Sequence, residues 1–134
     1  MKQKGQSLLE FALVFPLIFL LITGLIDLGR ALFYYSSLNN AVREGTRYAV
    51  VQPKGTADSV LSDKVASYFY QINDLKNNVA ITVSHTGTTS DPKVQIRASY
   101  VFKPITPGLK LILGAGHTIT IQAQSEMRLT PIAQ

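Results

Sequence analysis

His85 and His117 are the two histidines of the chain, and neither has a carboxylate or a second histidine at metal-ligand spacing. Cysteine is absent, which removes disulfides, thiolate metal sites and a cysteine nucleophile. Gly114-Ala115-Gly116 lacks the third glycine and the following helix of a dinucleotide loop, and no serine sits in a nucleophile elbow. The side chains point to no catalytic constellation, no metal and no cofactor. What remains is charge chemistry at a few places. Asp27 and Arg30 are three apart and can pair on one helical face. Arg43 and Arg47 are four apart, with Glu44 in reach of Arg47, which reads as a salt-bridged solvated face or as a docking surface. Glu126 and Arg128 share a strand face and can pair across strands. Glu10 stands at the edge of a long apolar run.

That run is the dominant feature. Residues 11–26 carry no charge, and as a helix they cover roughly 24 Å. Leu28, Ala31, Leu32, Phe33, Tyr34 and Tyr35 extend the apolar character towards a bilayer thickness, with the tyrosines suited to an interface. A helix greasy on every face has nowhere to hide in so small a protein, so a transmembrane helix is expected. A cleaved signal peptide would share the basic start and apolar run, but it needs a small-residue cleavage site, for which Thr23-Gly24-Leu25 is a poor fit. Pro16 removes a backbone donor and is expected to kink the helix, while Gly24 and Gly29 permit flexibility or close packing.

Past the apolar run the helical pattern continues to about Val51. Leu28, Leu32, Tyr35, Leu38, Val42, Gly45 and Ala49 form one stripe at three- and four-residue steps. Ala41, Gly45 and Ala49 are small residues four apart, which allow another backbone close, either the protein's own head or a second subunit. Gln52-Pro53-Lys54-Gly55 stops the helix. Thr56 is the expected cap of a second, amphipathic helix whose apolar face is Val60, Leu61, Val65, Tyr68, Phe69 and Ile72, followed by a turn-rich exit over residues 73–78.

Three period-two segments follow. Val79, Ile81 and Val83 alternate with polar or small residues; so do Val94, Ile96, Ala98, Tyr100 and Phe102, and then Ile119, Ile121, Ala123, Ser125, Met127 and Leu129. A loop over residues 85–92 is expected to make the first two a hairpin. Residues 103–117 join the second to the third, with one helical turn near 109–113. The expected fold is α+β: a long N-terminal transmembrane and stalk helix, a second amphipathic helix, and a three-stranded antiparallel sheet. The chain divides into a basic leader at residues 1–5, the transmembrane and stalk helix at 6–52, and an extracytoplasmic head at 53–134. Roughly 80 residues of head make only a marginal independent core.

Gly5-Gln6-Ser7-Leu8-Leu9-Glu10 at the head of an apolar helix resembles the pattern cut by prepilin peptidases, with the cut between Gly5 and Gln6. With Phe11-Ala12-Leu13-Val14-Phe15-Pro16, Gly24, Gly29-Arg30-Ala31 and the block Asn39-Asn40-Ala41-Val42-Arg43-Glu44-Gly45-Thr46-Arg47-Tyr48-Ala49, the first fifty residues resemble the TadE-like family of tight-adherence pilus proteins. That resemblance implies a minor pilin or pseudopilin, a membrane-anchored structural subunit that takes part in tight-adherence pilus assembly. It also implies that Glu10 pairs with the freed amine of a neighbouring subunit; read from its position alone, Glu10 is a boundary residue reaching water. Pilins often place an aromatic residue first after the cut, where this chain has Gln6. The alternative is a generic single-pass membrane protein with an extracytoplasmic binding or sensor head.

Lys2 and Lys4 flank the short end of the run, which by the positive-inside rule keeps the N-terminus cytoplasmic and the head outside. The expected surroundings are cytoplasmic-membrane lipid, other pilin-like subunits, pilus platform proteins and a prepilin peptidase. The net charge of +5 comes without a basic stripe interleaved with aromatics, so nucleic acid is not an expected partner.

Overall fold

A computed structural model describes residues 2–53, 55–69, 72–106 and 118–129. The elements are α1 (Lys2–Val50), α2 (Asp58–Ser67), α3 (Asn73–Asn78), β1 (Val79–Thr88), β2 (Asp91–Phe102) and β3 (Ile119–Arg128). The class is α+β, with a long N-terminal apolar helix and a three-stranded antiparallel sheet in the order β1-β2-β3. The chain separates into two compact units. One comprises Met1–Leu32 with Lys103–Thr118, and the other Phe33–Phe102 with Ile119–Gln134.

The second unit holds most of the core. Its centre is β2, where period-two alternation places Val94, Ile96, Ala98, Tyr100 and Phe102 on one buried face. Register is continuous on both sides. Ala98 faces Ile81 of β1 and Ala123 of β3, and Tyr100 faces Val79 and Ile121. Leu38, Ala41, Val42, Thr46 and Ala49 of α1 are buried, as are Leu61 and Val65 of α2, Phe69 just beyond it and Leu75 of α3. The buried Thr46 hydroxyl is satisfied within its own helix, donating to the Val42 carbonyl at 2.6 Å. Tyr34 meets Tyr100 and Phe102 edge-on, at 5.3 and 6.0 Å between ring centroids.

Several local expectations are corrected. The α1 stripe is buried only from Leu38 onward; Leu28, Leu32 and Tyr35 are exposed, and Tyr34 supplies the aromatic contact instead. Thr56 does not cap α2. Its hydroxyl donates to the Pro53 carbonyl at 2.8 Å, and the N-cap is Ala57, which makes no side-chain cap bond. The inward positions of α2 and its exit are Leu61, Val65 and Phe69, at four-residue steps, while Val60 and Tyr68 stay exposed. Residues 73–78 form a short helix in place of an irregular exit, because buried Leu75 and the Asp74 carboxylate, which accepts the Tyr100 hydroxyl, draw the turn into regular structure. The hairpin loop is shorter than residues 85–92. Strand pairing runs out to Thr88 opposite Asp91, so Thr89 and Ser90 alone make the turn. The outer pairs were illegible as strand because both faces there meet water and no apolar alternation marks them. Gly87, at φ 96°, serves this close approach: a Cβ there would lie 2.1 Å from the Asp91 carbonyl oxygen. Glu126 and Arg128 do pair across strands, Glu126 with Lys93 at 3.1 Å and Arg128 with Asp91. The helical turn expected near 109–113, Gly114-Ala115-Gly116 and His117 lie outside the described residues.

Candidate functional site

α1 is one helix from Lys2 to Val50 and continues through Pro16. Over residues 5–22 every side chain is exposed, Leu13 at 73 % and Leu17 at 69 % among them. Among the described residues nothing covers them, although the same helix forms core further along. This is one helix long and apolar enough to cross a membrane, with no part of its most apolar window buried. Phe11, Phe15 and Phe19 form a ladder at four-residue steps, with ring centroids 5.5 and 6.3 Å apart. Gly5, Gln6 and Glu10 lie on its first turns and are exposed. Gly5, Gly24 and Gly29 each have open space where a Cβ would stand.

At the end of the uncharged run the helix carries an unusual polar node. The Asp27 side chain is only 2 % exposed. Its carboxylate accepts the Arg30 guanidinium at 3.0 Å, the backbone N–H of Ile105 at 3.2 Å, the backbone N–H of Thr106 at 2.8 Å and the Thr106 hydroxyl. The Thr106 hydroxyl also lies 3.3 Å from the Thr23 carbonyl, one helical turn earlier. A buried carboxylate without donors is costly, and so is the buried Thr106 N–H without an acceptor; here each solves the other's problem. The Asp27–Arg30 pair was legible from spacing, but Ile105 and Thr106 were not. They sit outside any periodic pattern, and the bond closes a gap of 79 residues.

In the second unit Arg43, Glu44 and Arg47 are exposed, and Arg47 lies 3.5 Å from Glu44. With Asn40, Ser125 and Met127 they line an open depression. Ala41, Gly45 and Ala49 are buried under the protein's own elements. A Cβ on Gly45 would stand 2.3 Å from Val65 Cγ2 and 3.5 Å from Ile96 Cδ1, so α2 and β2 come this close to α1 because the position has no side chain. The two sets therefore occupy different faces: the small residues point inward and the charged ones outward. Lys64 of α2 lies over the rings of Tyr48 and Tyr68 at 5.3 and 5.5 Å. His85 Nε2 lies 2.9 Å from an Asp58 carboxylate oxygen, both exposed. Among the described residues no cluster of three histidines or carboxylates could hold a metal ion.

No curated protein and no solved structure matches the chain. A family comparison does. Residues 5–47, about a third of the chain, match the family described as TadE-like protein, in the same stretch that holds the exposed apolar helix, Asp27 and the Arg43-Glu44-Arg47 face. Over that N-terminal segment the chain is similar to the TadE-like family.

Proposed function

We propose that this protein is a non-catalytic, membrane-anchored pilin-like subunit of the minor pilin or pseudopilin type, which takes part in tight-adherence pilus assembly by packing against other subunits. The observation that carries this reading is the contrast along α1. Residues 5–22 are bare on every face, whereas from Leu38 the helix is built into a folded head. A stripe of apolar residues would suit one groove; an unbroken apolar cylinder suits lipid, or the helical core of a filament. The family match over residues 5–47 supports the pilus association.

In this reading Lys2 and Lys4 hold the N-terminus in the cytoplasm and the head stands outside the cytoplasmic membrane, single-pass. A prepilin peptidase removes residues 1–5, and Glu10 becomes the carboxylate that pairs with a neighbour's new amine at Gln6. Arg43, Glu44 and Arg47 offer the outward charged face to other pilin-like subunits or to the platform.

The test is processing. Co-expression with a prepilin peptidase is expected to lower the mass by that of residues 1–5, and Gly5→Leu is expected to abolish the loss. An unchanged mass in both samples would instead favour a generic single-pass membrane protein with a binding or sensor head.

A further inference from the structure

Residues 103–106, which leave β2, belong to the same compact unit as the N-terminal half of α1. They run extended, with exposure alternating: Pro104 and Thr106 are buried, Lys103 and Ile105 exposed, Ile105 at 68 %. Their height along α1 is fixed by hydrogen bonds. Asp27 takes the N–H groups of Ile105 and Thr106, and the Thr106 hydroxyl reaches the Thr23 carbonyl. Thr23 and Asp27 are four residues apart, about 6 Å along a helix. Thr23 lies inside the uncharged run and Asp27 immediately follows it. The segment is therefore level with the last turn of the apolar run, where Leu25 and Ile26 are 64 % and 58 % exposed.

From this we infer a second membrane contact, in which residues 103–106 lie at the boundary between acyl chains and headgroups. Ile105 extends the apolar belt of Leu25 and Ile26, and Lys103, on the same side of the extended segment, reaches lipid phosphate. A single exposed isoleucine is ordinary on a soluble surface. This one differs because its backbone is clamped to a helix turn whose own side chains end the apolar run. The clamp also fits that depth. Non-helical backbone at a lipid boundary must have its N–H groups satisfied within the protein, and Asp27 supplies the acceptor. The occupant is the bilayer of the membrane that holds α1, so the inference rests on the membrane reading given above.

The natural chain has no cysteine, which makes single-site labelling clean. Three full-length variants, Ile105→Cys, Phe19→Cys and Thr86→Cys, are labelled with an environment-sensitive fluorophore. They are reconstituted into phosphatidylcholine vesicles containing phosphatidylglycerol, with spin-labelled lipids bearing the quencher shallow or deep in the acyl chain. The label at 19 is expected to be blue-shifted and quenched by the deep probe. The label at 86, on the exposed end of the hairpin, is expected to stay water-like. The label at 105 is expected to be blue-shifted and quenched most by the shallow probe, and adding Asp27→Ala should remove that quenching. A water-like label at 105, or a blue shift that no lipid probe quenches, overturns the inference while a quenched label at 19 leaves the membrane reading standing. An unquenched label at 19 overturns both.

Discussion

The Asp27 carboxylate accepts the backbone N–H of Thr106 at 2.8 Å, joining the first helix to the segment that follows β2. Ile105 and Arg30 donate to the other oxygen of the same group. Replacing Asp27 by alanine leaves the backbone N–H groups of Ile105 and Thr106 without this acceptor, and the Thr106 hydroxyl with the Thr23 carbonyl alone. Hydrogen bonds to a charged group and orphaned buried donors together set the cost at about 3 kcal/mol. Asp27→Ala is expected to lower the denaturant midpoint in detergent and to speed hydrogen exchange at the Ile105 and Thr106 amides. Asp27→Asn, which keeps one acceptor oxygen, should fall between the two.

Gly45 tests the packing of the head. Alanine is the better helix former by about 1 kcal/mol. Against this, its methyl would stand 2.3 Å from Val65 Cγ2, and Val65 is fully buried, so the neighbour has no free direction to move. Overpacking of this kind costs about 1–3 kcal/mol, so the clash is expected to outweigh the propensity. Thermal unfolding should show Gly45→Ala less stable than the parent, and Val65→Ala should cost less in the Gly45→Ala background than alone.

Leu17 tests the anchor. It is 69 % exposed, so Leu17→Arg should leave the circular dichroism of the folded head unchanged. At the centre of a membrane helix the same substitution costs about 3 kcal/mol of insertion free energy. The expected outcome is a variant that folds but shifts from the membrane fraction, measured by fractionation of cells expressing each form.

The His85–Asp58 contact is the counterexample. Its 2.9 Å separation invites a role, but both side chains are about half exposed and solvent screens the pair. His85→Ala is expected to leave the thermal midpoint within error of the parent. A clear loss would show that this pair ties β1 to α2 more strongly than exposed pairs usually do.

Much of the fold was readable because its determinants are periodic. Alternation in Val94, Ile96, Ala98, Tyr100 and Phe102 marks the central strand, and all five are buried. Leu38, Val42 and Ala49 follow helical steps and are buried too, whereas Leu28 and Leu32 continue the same steps outside the core and remain exposed. Periodicity says which residues share a face, not where the covering element ends. The long-range side of the Asp27 node lies beyond any such pattern, since the Ile105 and Thr106 groups that reach it include backbone N–H groups, which nearly every residue has. The same limit applies to α3, where one asparagine at its start and two at its end suggest a turn, and the burial of Leu75 with the Asp74–Tyr100 hydrogen bond makes it helical.

The claim on which the rest depends is that residues 11–26 lie in lipid. Alkaline carbonate extraction of membranes from cells expressing the unprocessed full-length protein tests it most directly. The protein is expected to stay in the pellet through extraction and to be released only by detergent. Recovery of the same chain in the supernatant as a compact, detergent-free monomer would contradict the membrane anchor and everything inferred from it.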